Sequence, residues 1–252
     1  MATTHAIGID IGGTGIKGAI VDLATGELVS DRRKVATPEG GRPADILDAT
    51  VDLLAELDDA DSEAPRLPVG VCFPAVVKRG LTLSAANISK EWIGLPAEQK
   101  FEEELGRDIH FINDADAAGV AELRYGAAVG TEGLVILTTL GTGIGSAFIY
   151  DGVLVPNSEL GHLEIDGHDA EDRAAYSAME REELSWTDWA KRLDRYYQVV
   201  EALFSPDLFI VGGGVSKHHE QFLPLLQIDT PIVPAVHRNN AGILGAASLA
   251  SE

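Results

Sequence analysis

The chain has 252 residues, of which 45% are hydrophobic, so it is long enough for one large globular domain or two modest ones. Its formal net charge of −21 argues against a general nucleic-acid or membrane-surface binder. A single cysteine, Cys72, excludes a disulfide framework and a four-cysteine zinc site, and it fits a reducing cytoplasm. Residues 1–5 lack the basic and apolar regions of a signal peptide, and no apolar run is long enough to span a bilayer. We therefore expect a cytoplasmic protein that binds neither nucleic acid nor membranes.

The N-terminal half is predicted to open with a meander of strands and to continue with alternating helices and strands. The predicted strands cover residues 6–11, 17–22, 27–36, 68–73 and 109–112, and the predicted helices cover residues 43–57 and 97–105. In the first helix, apolar side chains recur at helical spacing, and Pro43 suits a first turn.

The C-terminal half repeats this organisation. A helix is predicted over residues 115–125, directly after Asn113-Asp114, and a second strand hairpin follows it. The later predicted elements are strands at 133–140, 145–151 and 208–211, an amphipathic helix at 186–204, and helices opening near 217 and 240. Two similarly opened halves of mixed strands and helices predict an α/β protein with duplicated lobes.

Two glycine-rich turns lie about half a chain apart, at residues 12–15 and 141–145. Each lies between two strand-like runs. Glycine lets backbone N–H groups approach phosphate oxygens closely, and Thr14 and Thr142 can add hydroxyl donors. The pattern therefore predicts two related domains that could grip a phosphoryl donor between them.

Other interpretations of the glycines were weighed. Residues 13–18 match the G-x-G-x-x-G pattern of dinucleotide-binding folds, but that motif requires a helix after the glycines, and a strand is predicted here. A P-loop also fails, because no Gly-Lys-Ser/Thr follows at the required spacing. Two glycine-rich hairpins without any ligand are the remaining structural alternative.

Five short segments, taken in chain order, resemble the motifs of the ROK sugar kinases. They are Asp10-Ile11-Gly12-Gly13-Thr14, Asn113-Asp114-Ala115-Asp116-Ala117-Ala118, Leu140-Gly141-Thr142-Gly143-Ile144-Gly145, Glu159-Leu160-Gly161-His162 and Val211-Gly212-Gly213-Gly214-Val215. The resemblance covers nearly the whole chain. It implies the α/β, actin-like or hexokinase-type (ribonuclease H-like) duplicated two-domain ATPase fold. We expect residues 1–113, completed by a C-terminal helix near 241–252, to form a small lobe, and residues 114–240 to form a large one.

One departure from the family pattern is informative. Typical ROK members carry a cysteine-rich zinc loop after the histidine of the E-x-G-H segment, whereas residues 163–171 contain no cysteine. His162 therefore lacks the thiolates of that tetrahedral site, and we expect no zinc site. The zinc-free pattern, the short chain and Ser216-Lys217-His218 resemble the polyphosphate-using glucokinases of the family.

The resemblance implies that the protein phosphorylates glucose at O6, with inorganic polyphosphate and also ATP as phosphoryl donor. A strictly ATP-dependent glucokinase or mannokinase is the main alternative, and a non-catalytic sugar-binding module is another. ROK repressors carry an N-terminal helix-turn-helix, for which the nine residues before Asp10 leave no room. As in the family, we expect a homodimer.

The resemblance also implies roles on the sugar side. Asp114 is the expected catalytic base, and a helix cap at Asp114 or Asp116 is the structural alternative. The expected sugar-binding residues are Asn87, Asn113, Glu159, His162 and Glu171, although a plain surface role for Glu171 stays open.

The expected donor-binding residues are Asp10, Gly12, Gly13, Thr14, Gly15, Lys17, Thr142, Gly143, Gly213, Gly214 and Lys217. Asp10 is expected to organise Mg²⁺ through water, because magnesium takes few protein carboxylates. A turn-stabilising aspartate and a strand-edge lysine are the structural alternatives for Asp10 and Lys17.

Overall fold

A computed structural model describes residues 4–250 of the chain. Its contacts divide the chain into two compact units: unit 1 comprises residues 1–121 and 240–252, and unit 2 comprises residues 122–239. The division into lobes of residues 1–113 and 114–240 stays a prediction. The expectations for residues 1–3, at the start of the segment tested for a signal peptide, and for residues 251–252, at the end of the closing helix, lie outside the described residues.

Unit 1 contains a six-stranded sheet and a small separate hairpin. The sheet strands are β1 (His5–Gly12), β2 (Gly15–Asp22), β3 (Glu27–Leu28), β4 (Arg33–Val35), β5 (Val69–Phe73) and β8 (Ile109–Asn113), and the hairpin strands are β6 (Val77–Lys78) and β7 (Leu81–Thr82). The sheet order is β3-β2-β1-β5-β8, with β4 also paired to β2. Strands β1 and β2 are antiparallel, whereas β1, β5 and β8 run parallel.

Unit 2 repeats this arrangement in its own five-stranded sheet. The sheet strands are β9 (Leu134–Leu140), β10 (Ile144–Tyr150), β11 (Val153–Val155), β14 (Leu208–Gly212) and β15 (Ile232–Pro234), and a separate hairpin is formed by β12 (Glu164–Ile165) and β13 (His168–Asp169). The order β11-β10-β9-β14-β15 again places an antiparallel hairpin beside two parallel strands. The predicted duplication is therefore present in the sheet topology.

The α-helices of the described residues cover both apolar cores. They are α1 (Pro43–Ala60), α2 (Ala97–Leu105), α3 (Asp114–Tyr125), α4 (Ala170–Ala174), α5 (Tyr176–Arg181), α6 (Trp186–Phe204) and α7 (Ala241–Leu249). The apolar stripe predicted for α1 is buried, and in α6 the aromatic residues Trp189, Tyr196 and Tyr197 lie in the core of unit 2. Among residues 4–250, none of the helices combines the length and the apolar character that crossing a bilayer requires.

Two sequence-based assignments were wrong in detail. The strand predicted over residues 27–36 is interrupted, because the Ser30 hydroxyl accepts the Ile20 N–H in place of a backbone carbonyl. The α-helix expected to open near Lys217 is a 3₁₀ helix, Gly214–Gln221. Strands of two or three residues, such as β11–β13, and the short helices α4 and α5 were missed because a periodic pattern needs a longer window.

The last helix packs against the sheet of unit 1 at backbone distance. A Cβ on Gly70 of β5 would lie 1.9 Å from the Ala246 carbonyl oxygen of α7, and a Cβ on Gly245 would lie 1.8 Å from the Ala117 carbonyl oxygen of α3. Both positions therefore require glycine. This close approach lets a helix from the end of the chain complete the core of the N-terminal unit.

The first prediction tests this packing. Gly70→Ala should lower the free energy of unfolding by about 1–3 kcal/mol, because the added methyl group overlaps the backbone of α7. Gly214→Ala is the control, since nothing lies within 4 Å of its added Cβ. Urea denaturation of both variants measures the difference. Equal unfolding midpoints would show that α7 can shift without cost and would contradict the close packing.

Candidate active site

The carboxyl ends of three parallel strands gather the polar residues of unit 1. Asp10 of β1 lies opposite Cys72 of β5, and the neighbouring Phe73 lies opposite Asn113 of β8. Asp114 follows as the first residue of α3. The strand-end positions thus bring together residues that are far apart in the sequence, at the edge where open α/β sheets bind ligands.

Asp10 is held from two sides. The Lys17 ammonium donates to its Oδ2 at 3.0 Å, and the Cys72 thiol donates to its Oδ1 at 3.6 Å. Burial raises the pKa of the Cys72 thiol well above its usual value, and the carboxylates of Asp10 and Asp114 raise it further. The thiol therefore stays protonated as a donor, and Asp10 keeps a defined orientation.

The start of α3 presents Asp114 as a half-buried carboxylate. Asn113 caps this helix: its Oδ1 accepts the N–H groups of Ala115 at 2.8 Å and Asp116 at 3.0 Å, and its Nδ2 donates to the Ala75 carbonyl at 3.0 Å. Asp114 Oδ1 also accepts the Ala115 N–H, at 2.9 Å. The cap considered for Asp114 or Asp116 is thus made mainly by Asn113, whose carbonyl oxygen is fully used.

The first glycine turn lies beside Asn87. Gly13 is exposed, and a Cβ there would lie 3.0 Å from Asn87 Cβ. Thr37 donates its hydroxyl hydrogen to the Gly12 carbonyl, which fixes the turn from the other side. Gly13, Thr37 and Asn87 line a cavity of about 300 Å³. Unit 1 therefore offers exposed backbone donors and an amide side chain around one cavity.

The second glycine turn, in unit 2, is braced by Glu171. The Ile144 N–H donates to Glu171 Oε2 at 3.0 Å, and a Cβ on Gly143 would lie 2.4 Å from the same oxygen. Ser177 donates to the Thr142 carbonyl at 2.6 Å, while the Thr142 residue is exposed. Glu171 therefore stabilises the conformation of the turn. The sequence analysis considered sugar binding and a plain surface role for Glu171, and it did not predict this one.

Glu159 and His162 lie together with two further carboxylates. His162 Nδ1 is 3.1 Å from Asp169 Oδ2 and 3.9 Å from Glu171 Oε1, and His162 Nε2 is 4.0 Å from Glu159 Oε2. The hydrogen bond to Asp169 raises the pKa of His162 above 6.5, more than burial lowers it. Burial raises the pKa of Glu159, and Glu171 adds to this effect.

The ligand atoms of His162, Asp169 and Glu171 lie within 4.8 Å of one another, close enough to hold a metal ion. The direct hydrogen bond between His162 and Asp169 instead satisfies both groups by ion pairing. The sequence contains one cysteine, Cys72 on β5 of unit 1, so the several thiolates of a cysteine-rich zinc loop are not available. The absence of a zinc site stays a prediction.

The third glycine segment, residues 211–215, lies against the end of β9. Gly213 has φ of 81°, and a Cβ there would lie 2.4 Å from the Leu140 carbonyl oxygen, so this position requires glycine. Gly214 is exposed with open space around it. Lys217 is exposed on the following 3₁₀ helix. This segment and the second glycine turn are thus neighbours within unit 2.

Sequence reasoning missed three residues of these clusters: Thr37, Cys72 and Asp169. Cys72 could have been found, because it lies near the end of a predicted strand. The carboxyl ends of neighbouring parallel strands meet at one edge of the sheet, and their polar residues lie together there. Thr37 lies in an irregular segment and Asp169 on the two-residue strand β13, and neither gives a periodic signal, so only the structure reveals them.

Comparison with known proteins gives concordant matches over nearly the whole chain. The chain is 48% identical over 249 residues to polyphosphate glucokinase from Mycobacterium tuberculosis (strain CDC 1551 / Oshkosh), covering 98% of this chain and 92% of that protein. The structure of inorganic polyphosphate/ATP-glucomannokinase from Arthrobacter sp. strain KM matches with a TM-score of 0.95 and 55% identity, over 99% of both chains. A ROK family glucokinase from Streptomyces griseus, in complex with glucose and AMPPNP, matches with a TM-score of 0.78 and 27% identity, over 97% of this chain and 98% of that one.

These matches confirm the fold expected from the five motifs, a duplicated α/β fold of the actin-like, hexokinase type. They also confirm the resemblance to polyphosphate-using glucokinases. The model of the ROK family matches residues 6–175. This range includes the first two glycine turns, Asp114 and the Glu159–His162 segment. The chain therefore belongs to the ROK family.

Proposed function

We propose that this protein transfers a phosphoryl group to O6 of glucose, with inorganic polyphosphate and also ATP as donor. Two relatives that share about half of its residues are named for polyphosphate. The observation that carries the proposal is Asp114, a half-buried carboxylate at the N-terminus of α3, beside the edge where Lys17 and Cys72 orient Asp10.

The proposed reaction is an in-line displacement. Asp114 accepts the proton of the glucose O6 hydroxyl while O6 forms a bond to the terminal phosphorus of the donor. The bond between that phosphorus and its bridging oxygen breaks, and the shortened polyphosphate or ADP leaves with the electron pair.

We assign the sugar hydroxyls to Asn87, Asn113, Glu159 and His162. Polar groups that pair with hydroxyls reject substrates lacking them far better than apolar pockets do. Glu171 acts indirectly in this proposal, because its carboxylate is engaged with the Ile144 N–H at the second glycine turn. Asn113 contributes through its amide nitrogen, since its oxygen caps α3.

The donor phosphates are assigned to the backbone donors of the glycine segments, the hydroxyls of Thr14 and Thr142, and Lys217. Asp10 fits a magnesium ion bound through water, because magnesium retains several waters and takes few carboxylates, and Lys17 already occupies Oδ2. When bound, the ion would neutralise part of the phosphoryl charge. Lys17 then acts by orienting Asp10.

A strictly ATP-dependent kinase is the second candidate function. It is favoured by the likeness to the Streptomyces griseus glucokinase, whose structure holds glucose and AMPPNP. Mannose as an alternative acceptor is suggested by the name of the Arthrobacter glucomannokinase. Homodimer formation and a cytoplasmic location stay predictions.

The second prediction concerns the base. Asp114→Asn should lower kcat for glucose phosphorylation by about 10²–10⁴-fold, because the amide cannot accept the O6 proton. Glucose affinity should change little. Steady-state kinetics and calorimetric glucose titration measure the two effects. Asp108→Asn, at an exposed aspartate just before β8, is the control and should keep full activity. Unchanged kcat in Asp114→Asn would refute the assignment.

The third prediction concerns the pH dependence of sugar binding. Since Asp169 raises the pKa of His162, the histidine stays protonated to a higher pH and can donate to a sugar hydroxyl. KM for glucose should therefore rise as the pH passes above that pKa. Asp169→Asn should move the inflection to lower pH, and NMR titration of the imidazole should show the same shift.

Asp172→Asn, which removes an exposed carboxylate of α4, is the matched control and should leave the inflection in place. If the two variants titrate alike, the pair between His162 and Asp169 does not set the protonation of the sugar-binding segment.

The fourth prediction separates the two donors. Glucose 6-phosphate formation is measured with polyphosphate and with ATP, each with Mg²⁺. Lys217→Ala should raise KM for polyphosphate more than KM for ATP. Polyphosphate is the longer anion, so more of its charge is attracted by the exposed Lys217 ammonium. Lys100→Ala, on α2, is the control. Activity with ATP alone would support the strictly ATP-dependent candidate.

A further inference from the structure

One edge of the sheet in unit 1 carries cations that none of the roles above uses. Arg32, Arg33 and Lys34 follow one another at the start of β4, which pairs with β2 alone among the described strands. The whole chain has 19 basic and 40 acidic side chains, so three adjacent cations reverse its charge locally. A charge run is usually a solvated surface, and its surroundings decide whether it binds a ligand.

Lys34 lies on the same face of the sheet as Asp10 and Lys17. Asp10 of β1 is directly opposite Lys17 of β2, and Lys17 is directly opposite Lys34 of β4. Directly opposite residues of antiparallel strands share a face, so the three side chains form one row across three strands. Arg33 lies opposite Gly18, whose added Cβ would contact α1, and therefore belongs to the other face.

The ammonium group of Lys34 lies against the first glycine turn. A Cβ on Gly15, the last residue of that turn, would lie 3.0 Å from Lys34 Cε and 3.9 Å from Lys34 Nζ. Lys34 itself is exposed. A phosphate bound to the backbone donors of the turn would therefore have this cation beside it.

The charge of Lys34 is not neutralised by a carboxylate. Asp10 pairs with Lys17 at 3.0 Å, whereas no ion pair within residues 4–250 involves Lys34. Like charges directly opposite one another destabilise a sheet, so stability does not account for two facing lysines. A bound anion would remove this repulsion. The structural alternative is that an exposed lysine protects an edge strand from pairing with another chain.

Arg32 extends the same basic surface away from the turn. Its Nη1 donates to Asn240 Oδ1 at 2.8 Å, and an amide oxygen fixes the guanidinium without neutralising its charge. Asn240 directly precedes α7, whose Gly242 lies against Asp10, so the guanidinium is on the face that carries Asp10. Arg32, like Lys34, takes part in no ion pair of the described residues.

We propose that Lys34 and Arg32 form a subsite for the phosphate units of inorganic polyphosphate that follow the unit being transferred. This inference rests on the proposed function, because it takes the terminal phosphate to lie at the first glycine turn. Lys34 binds the phosphates nearest the turn, and Arg32, about 7 Å further along the strand, binds later ones. Its guanidinium can bind two phosphate oxygens at once. A donor needs several phosphates to contact both cations, so the subsite favours longer chains.

The experiment measures binding to the full chain without glucose, so that no transfer occurs. Isothermal titration calorimetry compares long-chain inorganic polyphosphate with pyrophosphate at fixed ionic strength and Mg²⁺ concentration. Lys34→Gln should raise Kd for both probes about three- to tenfold, since it removes an exposed cation next to the bound anion. Arg32→Gln should raise Kd for the long chain by a similar factor and leave pyrophosphate unchanged, because two phosphates at the turn do not extend to Arg32.

The matched control is Lys78→Gln, which removes an exposed cation of the β6–β7 hairpin in the same unit and should bind both probes as the unsubstituted protein does. Lys34→Arg keeps the charge and should bind nearly as well. The inference is wrong if Lys34→Gln binds like Lys78→Gln, and aggregation of Lys34→Gln would then identify the edge-protecting role. An equal effect of Arg32→Gln on both probes would also overturn it, because such an effect shows only general attraction.

Glucose 6-phosphate formation from long-chain polyphosphate separates this inference from the proposed function. If the unsubstituted protein forms the product and Lys34→Gln binds like the control, the subsite is refuted and the proposed function stands. If the unsubstituted protein forms no product from polyphosphate, the proposed polyphosphate-dependent function fails, and the inference that rests on it fails as well.

Discussion

The close contact between α7 and the sheet of unit 1 is the constraint on which the candidate active site depends. A Cβ on Gly242 would lie 2.8 Å from Asp10 Cγ and 3.0 Å from Cys72 Sγ. The first turn of the last helix therefore covers the two residues that meet at the ends of β1 and β5. This packing buries the Cys72 thiol, and burial keeps the thiol protonated as a donor to Asp10. A shift of α7 would release Asp10 from one of its two partners.

In each unit a cationic side chain offsets the charge of carboxylates in the candidate site, but the side chain differs. In unit 1 the Lys17 ammonium compensates Asp10 directly. In unit 2 three carboxylates surround His162, whose raised pKa lets the imidazolium offset part of their charge. Protonation of His162 therefore affects the charge balance of this cluster more than any single carboxylate does. When His162 is neutral, the cluster contains only negative charges.

The parts of the fold that could be predicted from the sequence are those with long periodic apolar patterns or with glycine turns. The helix predicted over residues 186–204 has those bounds, and both glycine hairpins form as expected. The capping role of Asn113 and the bracing role of Glu171 could not be predicted. Each depends on backbone N–H groups presented by the folded chain: two at the start of α3 for Asn113, and that of Ile144, 27 residues away in sequence, for Glu171. Pairings of this kind leave no periodic trace.

The net charge of −21 explains why glycine and threonine, more than lysine, form the candidate donor site. An acidic chain repels a polyanionic donor, and a cation next to a carboxylate is drawn to it, as Lys17 is drawn to Asp10. Backbone N–H groups and hydroxyls carry no net charge that a carboxylate could neutralise. Gly13, Thr14 and Thr142 are exposed, so in the proposed donor site their donors are accessible to a ligand. In the proposed site, neutral donors would let an acidic protein bind phosphate without first breaking its own ion pairs.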